Sequence, residues 1–204
     1  VIAFVAEFSR GKSELINAIF FGDQGARILP SSSGRTTMCP TELMYDATRP
    51  PCIDLLPIET RRTSTTVTDL KGQPGAWQRV ALDTGSTTSM QQVLARVSEQ
   101  RKVAIGEAEL LGFRIDLSGE SGLQPDSHGM VDVPAWRHAV INLPHPLLRQ
   151  GLVILDTPGL NAIGAEPELT LSLLPAAHAV LFVLGMDTGV TQSDLAVWKT
   201  HVTA

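Results

Sequence analysis

The stretch VIAFVAEFSRGKSELINAIFF, residues 1–21, decides the fold. Val1 to Phe8 is apolar almost throughout and reads as a buried strand running into a turn, and Ser9 to Ser13 is a Gly-containing loop. From Ser13 to Phe20, the apolar residues Leu15, Ile16, Ile19 and Phe20 fall at helical spacing. Strand, loop and helix in that order make an anion site. The loop wraps a phosphate chain with backbone N–H groups, and the helix points the positive end of its dipole at the same anion. Residues 6–13, AEFSRGKS, meet the pattern G-x-x-x-x-G-K-[ST] at every specified position but the first, where Ala6 replaces Gly. Here Lys12 supplies a point charge to the β- and γ-phosphates, and the Ser13 hydroxyl suits Mg²⁺, a hard cation that takes oxygen ligands. Ala6 adds one methyl where Gly permits the closest backbone approach, which a small shift accommodates.

A second signature lies far downstream. Leu152 to Asp156 is a hydrophobic strand ending in a carboxylate, and Gly159 follows three residues later in DTPG. That spacing puts Asp156 near a metal, through water, and lets the Gly159 N–H reach a γ-phosphate because no side chain intervenes. Between the two signatures, Arg35-Thr36-Thr37-Met38-Cys39-Pro40 closes a Ser/Thr/Gly/Pro-rich loop that spans residues 28–40. A nucleotide switch needs a loop hydroxyl that meets Mg²⁺ only when the γ-phosphate is present, and Thr36 and Thr37 compete for that position.

Composition sets the outer bounds. At about 100–200 residues per domain, 204 residues suit one medium domain. A hydrophobic content of 43% with 18% charged residues excludes a solvated disordered chain, and a net charge of −5 argues against broad capture of nucleic acid. Cys39 and Cys52 are too few for a disulfide framework and lack metal-ligand spacing, so a reducing compartment is the default. No apolar run approaches the roughly 18 residues of a spanning helix. The longest, residues 176–185, reads as a buried strand. The chain opens inside an apolar run without an initiator Met and reads as an internal stretch of a longer protein.

Further strands are expected at 41–46, 53–58, 77–82, 113–117, 137–143 and 179–184, with 137–143 and 152–156 as neighbours. Helices are expected at 86–103, 105–111, 168–174 and 193–202, and a surface loop at 118–134. β-branched runs mixed with amphipathic helices indicate a layered α/β domain.

The three motifs together resemble those of the dynamin-like GTPases, most closely the bacterial members of the dynamin superfamily. EFSRGKSELINA, residues 7–18, resembles their phosphate loop and first helix. Thr37, three residues before Pro40, matches their switch I threonine, and LDTPGL, residues 155–160, matches their switch II. DTGVTQSD, residues 187–194, resembles the loop and helix start that follow their next strand. The resemblance covers residues 1–45 and 136–204 and is weak between them.

The resemblance implies a P-loop NTPase fold of the GTPase type, an α/β sheet flanked by helices, truncated on its C-terminal side. Residues 1–204 would form a partial dynamin-type GTPase domain: 1–45 with P-loop and switch I, 46–135 as an insertion-rich middle, 136–204 with switch II and the next strand and helix. It also implies Mg²⁺-dependent GTP binding and hydrolysis by an in-line water. The nucleotide contacts would come from Glu7, Phe8, Ser9, Arg10, Gly11, Lys12, Ser13, Glu14, Asp156 and Gly159. Metal contacts would come from Ser13, Thr37 and Asp156, and catalytic contributions from Lys12, Ser9 and Thr37. Ser9 stands where the family holds a monovalent cation, K⁺ or Na⁺. Phe8 stands where dynamin has a water-orienting Gln, so that role does not carry over. The implied partners are GTP and a second copy across the nucleotide, with membrane association through regions outside this stretch and no nucleic acid. The implied location is cytoplasmic, peripheral at the inner membrane.

Two departures keep alternatives open. Thr37 lies 119 residues before Asp156, a long separation for this class, and the N/T-K-x-D motif that reads guanine does not occur in the 204 residues. The alternatives are a nucleotide-binding scaffold with little hydrolysis, motivated by Ala6 and Phe8, and an ATP-using P-loop enzyme. Arg10 is either an internal arginine finger or, on the plainer reading, a side chain facing solvent or a partner. Asp187 starts a turn, and Asp194 stabilises a helix N-terminus. Trp136 reads as a packing anchor beside a snorkelled Arg137. Arg61 and Arg62 read as a solvated loop, and His138, His145 and His178 lack paired metal spacing.

Overall fold

The computed structural model of the chain describes residues 1–6, 10–22, 28–30, 39–115, 123–158, 177–186 and 188–199. Its strands are β1 (Ile2–Val5), β2 (Thr41–Met44), β3 (Cys52–Pro57), β4 (Gln78–Ala81), β5 (Gln100–Ala104), β6 (Met130–Pro134), β7 (Trp136–Asn142), β8 (Ile154–Asp156) and β9 (Ala179–Phe182). Its helices are α1 (Lys12–Phe21), α2 (Val67–Lys71), α3 (Thr87–Leu94), α4 (Ile105–Leu110), α5 (Pro146–Arg149) and α6 (Gln192–Val197). Seven strands form one mixed sheet in the order β4-β3-β7-β2-β8-β1-β9, and β5 pairs with β6 in a separate two-stranded sheet. The α/β class read from the sequence holds.

Alternation along the strands gives the sheet two faces. Leu43 of β2 lies opposite Ile141 of β7 and Ile154 of β8, so these side chains share a face. With Phe4, Ile53 and Leu55 they join Ile16 and Phe20 of α1 and Met90 and Leu94 of α3 in the main core. Helix α1 buries Ile16, Phe20 and Phe21, whereas Leu15 and Ile19 stay about 40% exposed, a narrower buried stripe than the sequence spacing suggests.

The reverse face changes character across the sheet. At β1 and β8 it is apolar, with Ala3, Val5 and Leu155 packed on Val180 and Phe182 of β9. At β2, β3 and β7 it carries Glu42, Asp54, His138 and Asn142, all buried. Antiparallel neighbours such as β3–β4 and β3–β7 tolerate a polar face, which an all-parallel sheet does not. Asn142 shows how the polar side is satisfied. Its Oδ1 accepts from the Asp46 N–H at 2.7 Å, and its Nδ2 donates to the Asp46, Arg49 and Pro50 carbonyls at 3.1–3.2 Å, shaping the turn between β2 and β3.

Residues 58–134 carry a second, smaller core in which Ile58, Val103, Leu111, Phe113, Val131 and Val133 pack together. Two sequence expectations fail here. The helix expected over 86–103 ends at Leu94, passes through a 3-10 turn to Ser98, and gives way at extended Glu99 to β5. Residues 118–134, expected to be loop, contain β6, which pairs antiparallel with β5 from Gln100↔Pro134 to Ala104↔Met130. Both strands are short and largely polar on one side, so their period is faint without the partner. Residues 59–85 hold α2, whose single turn rests on a Thr66–Asp69 capping box rather than on apolar periodicity.

Three more corrections concern neighbours and exposure. Strands β7 and β8 are consecutive in the chain, but β2 lies between them. Strand β9 is an edge strand with Leu181 46% exposed, not a fully buried one. Arg137 does not snorkel: it is buried, and its Nη1 donates to the Thr60 and Thr65 carbonyls at 3.0 and 3.1 Å. The helix expected over 168–174, and the expected strand beyond Ile115, lie outside the described residues.

Glu42 is the charged group on which the ionic face turns. Burial pushes its carboxyl up, but the hydrogen bond and charge of His138, at 2.9 Å, and of Lys71, at 2.6 Å, outweigh burial and hold it at about 2. A carboxyl depressed in the native state stabilises the fold fully above its unfolded value, 4.5, and loses that contribution as pH falls through about 2. Urea unfolding as a function of pH should therefore show wild type more stable than Glu42→Gln at pH 6, with the gap closing between about 4.5 and about 2. A gap independent of pH would contradict this account of Glu42.

Candidate nucleotide site

Parallel pairing brings the ends of β1 and β8 together, with Phe4 opposite Asp156. The chain leaves both strands at the same sheet edge, outside their carboxyl ends, where open α/β sheets place ligands. After β1 the loop reaches Gly11, which sits at φ +78° and ψ +15°. A Cβ there would meet nothing within 4 Å, so the left-handed backbone rather than space calls for Gly. Gly11 is also the N-cap of α1. It offers no side-chain cap, which leaves the first-turn N–H donors without a side-chain partner from the cap.

Lys12 opens the helix and is 7% exposed. Its Nζ forms an ion pair with Oδ1 of Asp156, itself 2% exposed, across a sequence separation of 144 residues. The Ser13 hydroxyl donates to Asp156 Oδ2 at 3.3 Å. The two motifs read separately from the sequence thus meet at one carboxylate. Beside it, the Thr157 hydroxyl is buried and donates to the Phe4 carbonyl at 2.8 Å, tying the chain after β8 to β1. Thr41 lies opposite Asp156 in the antiparallel β2–β8 pair, so the chain enters β2 next to the same carboxylate.

Two contacts that sequence reasoning missed hold the surrounding loops. Asn17, 4% exposed on α1, accepts from the Ile28 and Leu29 N–H groups at 3.1 and 2.8 Å and donates to the Leu29 carbonyl at 3.0 Å. A buried amide within a helix facing an apolar segment is the signal that could have marked it. Arg10 donates from Nη1 to the Thr188 hydroxyl in the turn after β9. That turn is closed by the Gly189 N–H on the Gly185 carbonyl at 2.9 Å and runs into α6 through a Thr191–Asp194 capping box. Arg10 therefore meets the chain's own loop rather than open solvent, and Asp194 stabilises the helix start as its sequence position suggests.

Glu14 lies in the first turn of α1. Glu7, Phe8, Ser9, Thr36, Thr37, Gly159 and Asp187 fall outside the described residues. Among the described residues, no group of three or more His, Cys, Asp or Glu side chains gathers as a metal site. The oxygen donors that do converge, the Ser13 hydroxyl and the Asp156 carboxylate, suit a hard cation. Cys39 is fully buried, and burial pushes its thiol up well beyond the offset from Arg61. Arg61 is not a solvated loop residue, since it stacks over Phe113 at 4.7 Å, whereas Arg62 stays exposed and pairs with Glu107 at 2.7 Å. His145 caps α5, accepting from the Leu147 N–H at 3.3 Å.

The sequence model of the dynamin family matches residues 2–204. A bacterial dynamin-like protein of Nostoc punctiforme is 45% identical over 69 residues, which cover 34% of this chain and 10% of that protein. The isoniazid-induced protein IniA of Mycobacterium tuberculosis is 44% identical over 57 residues, 27% of this chain and 9% of that protein. The matched segments span about a tenth of the length of these curated relatives. Two solved structures, from work on an oligomerised bacterial dynamin pair that senses and tethers membranes at long range, cover 96% of the chain. Their TM-scores are 0.45 and 0.49, with 20% and 13% identity, and the match covers 22% and 28% of those chains.

The buried Lys12–Asp156 pair carries a stability consequence. Removing one partner strands the other charge in the interior, a loss of about 3–5 kcal/mol, whereas replacing both by apolar groups costs far less. Chemical denaturation of Lys12→Met, Asp156→Leu and the double variant should show strong non-additivity, the double variant being more stable than either single one. Additive losses would contradict a direct pair.

Proposed function

The chain belongs to the dynamin family, and on that premise we propose that it binds GTP with Mg²⁺ and hydrolyses it, within a protein that pairs through this domain and works at a membrane surface. The observation that carries the reading is the meeting of Lys12, Ser13 and Asp156 at the N-terminus of α1. A lysine, a hydroxyl and a carboxylate converging at a helix N-terminus form a phosphate–metal site.

Binding exchanges one set of partners for another. Lys12 Nζ leaves Asp156 for the β- and γ-phosphate oxygens, and the backbone N–H groups from Gly11 onward wrap the phosphates. Ser13 Oγ, and the freed Asp156 through water, would hold Mg²⁺, which would supply charge neutralisation on the phosphate oxygens. Thr37 and the Gly159 N–H close on the γ-phosphate, and Glu7, Phe8 and Glu14 complete the pocket. By the family resemblance, Ser9 would hold a monovalent cation, K⁺ or Na⁺. Arg10, tied to Thr188, braces the loop rather than serving as an arginine finger. Phe8 cannot orient the attacking water, so an unpaired copy should turn over slowly, on the order of 10⁻⁴ s⁻¹.

In this reading residues 1–45, 46–135 and 136–204 are the phosphate and switch I part, an insertion-rich middle that also supplies β3 and β4 to the sheet, and the switch II part of one GTPase domain. The exposed apolar side chains Leu181, Met186 and Trp198 around edge strand β9 support a sheet that continues beyond it. Among the described residues no helix is long and apolar enough to cross a membrane. By the family resemblance, we assign membrane contact to other parts of the protein, at the cytoplasmic side of the inner membrane.

Equilibrium binding of fluorescent GTP and fluorescent ATP to the full-length protein tests the reading. The expected result is Mg²⁺-dependent binding that favours GTP and weakens at least about a hundredfold in Lys12→Ala, the size of two lost charge-assisted hydrogen bonds. Preference for ATP, or unchanged GTP binding in Lys12→Ala, would overturn it.

A further inference from the structure

The sheet face opposite α1 holds a cavity of about 600 Å³ that shares no residue with the Lys12–Asp156 site. Its size falls in the range of small-ligand pockets, about 300–1,000 Å³. Glu42 and Asp54 rise from the strands as its ionic floor, Val140 adds an apolar patch, and Trp77 forms a wall. Arg49, Lys71 and Arg79 stand around it as the outer layer.

The charges are layered by depth. The Glu42 and Asp54 side chains are 10% and 9% exposed, whereas Lys71 and Arg79 are 41% and 47% exposed and Arg49 is 26% exposed. Each cation is anchored from below. Lys71 Nζ donates to Glu42 at 2.6 Å, and Arg79 clamps Asp54 through Nε and Nη2 at 2.7 and 2.9 Å. Arg49 spans Asp46 and Asp54, at 2.9 Å to each. Behind Glu42, fully buried His138 fixes the carboxylate at 2.9 Å. Asp46, the remaining carboxylate of the wall, is occupied within its own turn by the Thr48 N–H and hydroxyl, at 2.9 and 2.6 Å, and by Arg49.

Burying carboxylates with cations adds little to stability. What these pairs do is immobilise three cationic heads around one volume. After its anchoring bonds, Lys71 keeps two N–H donors and Arg79 keeps its Nη1 pair, and both residues line the cavity. Trp77 is equally fixed, its Nε1 donating to the Leu70 carbonyl at 2.7 Å and its ring standing edge-on to His138.

We propose that this cavity is a second anion site, distinct from the nucleotide site, that takes a phosphomonoester through Arg49, Lys71 and Arg79, with the rest of the ligand against Trp77 and Val140. A phosphomonoester presents three terminal oxygens to the N–H donors that Lys71 and Arg79 keep beyond their pairs with Glu42 and Asp54. The same group occurs on soluble phosphate esters and on a phosphatidic-acid headgroup.

The test titrates glycerol 3-phosphate into full-length protein saturated with GDP, and in parallel measures sedimentation with phosphatidylcholine vesicles with and without phosphatidic acid. Saturable binding is expected. It should weaken about tenfold or more in Lys71→Gln/Arg79→Gln, persist in Lys71→Arg, and leave GDP affinity unchanged, each charge-assisted contact being of that size. The ligand should also shift indole emission in wild type and not in Trp77→Phe, a readout that does not depend on the charge variants folding. Binding of glycerol 3-phosphate alone assigns the site to soluble esters; phosphatidic-acid-dependent vesicle binding, lost in the same variant, assigns it to the headgroup. No binding of either probe, binding unchanged in Lys71→Gln/Arg79→Gln, or binding abolished by GDP would overturn the proposal.

Discussion

The buried ion pair between Lys12 and Asp156 is the constraint on which the rest of the structure depends. Two ions at 7% and 2% exposure are tolerable only because each neutralises the other and the Ser13 hydroxyl adds a further donor. To make that contact, β1 and β8 must lie side by side and in parallel, and the loop after β1 must turn through a left-handed Gly11 to start α1 over the sheet edge. Thr157 on the Phe4 carbonyl and Thr41 opposite Asp156 lock the same corner from two further directions. A buried pair of this kind adds little net stability over an apolar pair, yet losing either partner is costly.

The remainder of the fold keeps that corner rigid while accommodating a long middle segment. One face of the sheet is sealed by α1 and α3 in a continuous apolar core. The segment over 58–134 supplies β4 to the sheet and α3 to its apolar core, while the rest of it has its own core, centred on Ile58, Leu111 and Val133. The reverse face divides into an apolar half near β1 and an ionic half near β3 and β7. The ionic half is held by fully partnered carboxylates, with Glu42 bridged to both His138 and Lys71.

Much of this was legible in the residues. The GKS run fixed the strand–loop–helix order, and DTPG fixed the strand ending at Asp156, because each motif needs one backbone geometry whatever surrounds it. What the sequence could not show was pairing. Strands β5 and β6 are short and polar on their outer sides, and only their mutual register makes them strands. The place of β2 between β7 and β8 is a property of the sheet and leaves no local signature. Asn17 and Thr188 were obscure for a similar reason, since an amide or hydroxyl gains meaning only from the loop it ties. Arg137 read as a snorkelled charge because an Arg beside a Trp usually is one, whereas here backbone carbonyls of the 58–65 segment receive its guanidinium.

The central claim is that nucleotide binding exchanges the Lys12–Asp156 pair for Lys12–phosphate and Asp156–metal contacts. A crystal structure of the full-length protein with Mg²⁺ and a non-hydrolysable GTP analogue tests it most directly. The account predicts Lys12 Nζ on the β- and γ-phosphate oxygens, with Ser13 and Asp156 turned to the metal. A nucleotide bound elsewhere, or bound there with Lys12 still paired to Asp156, would contradict it.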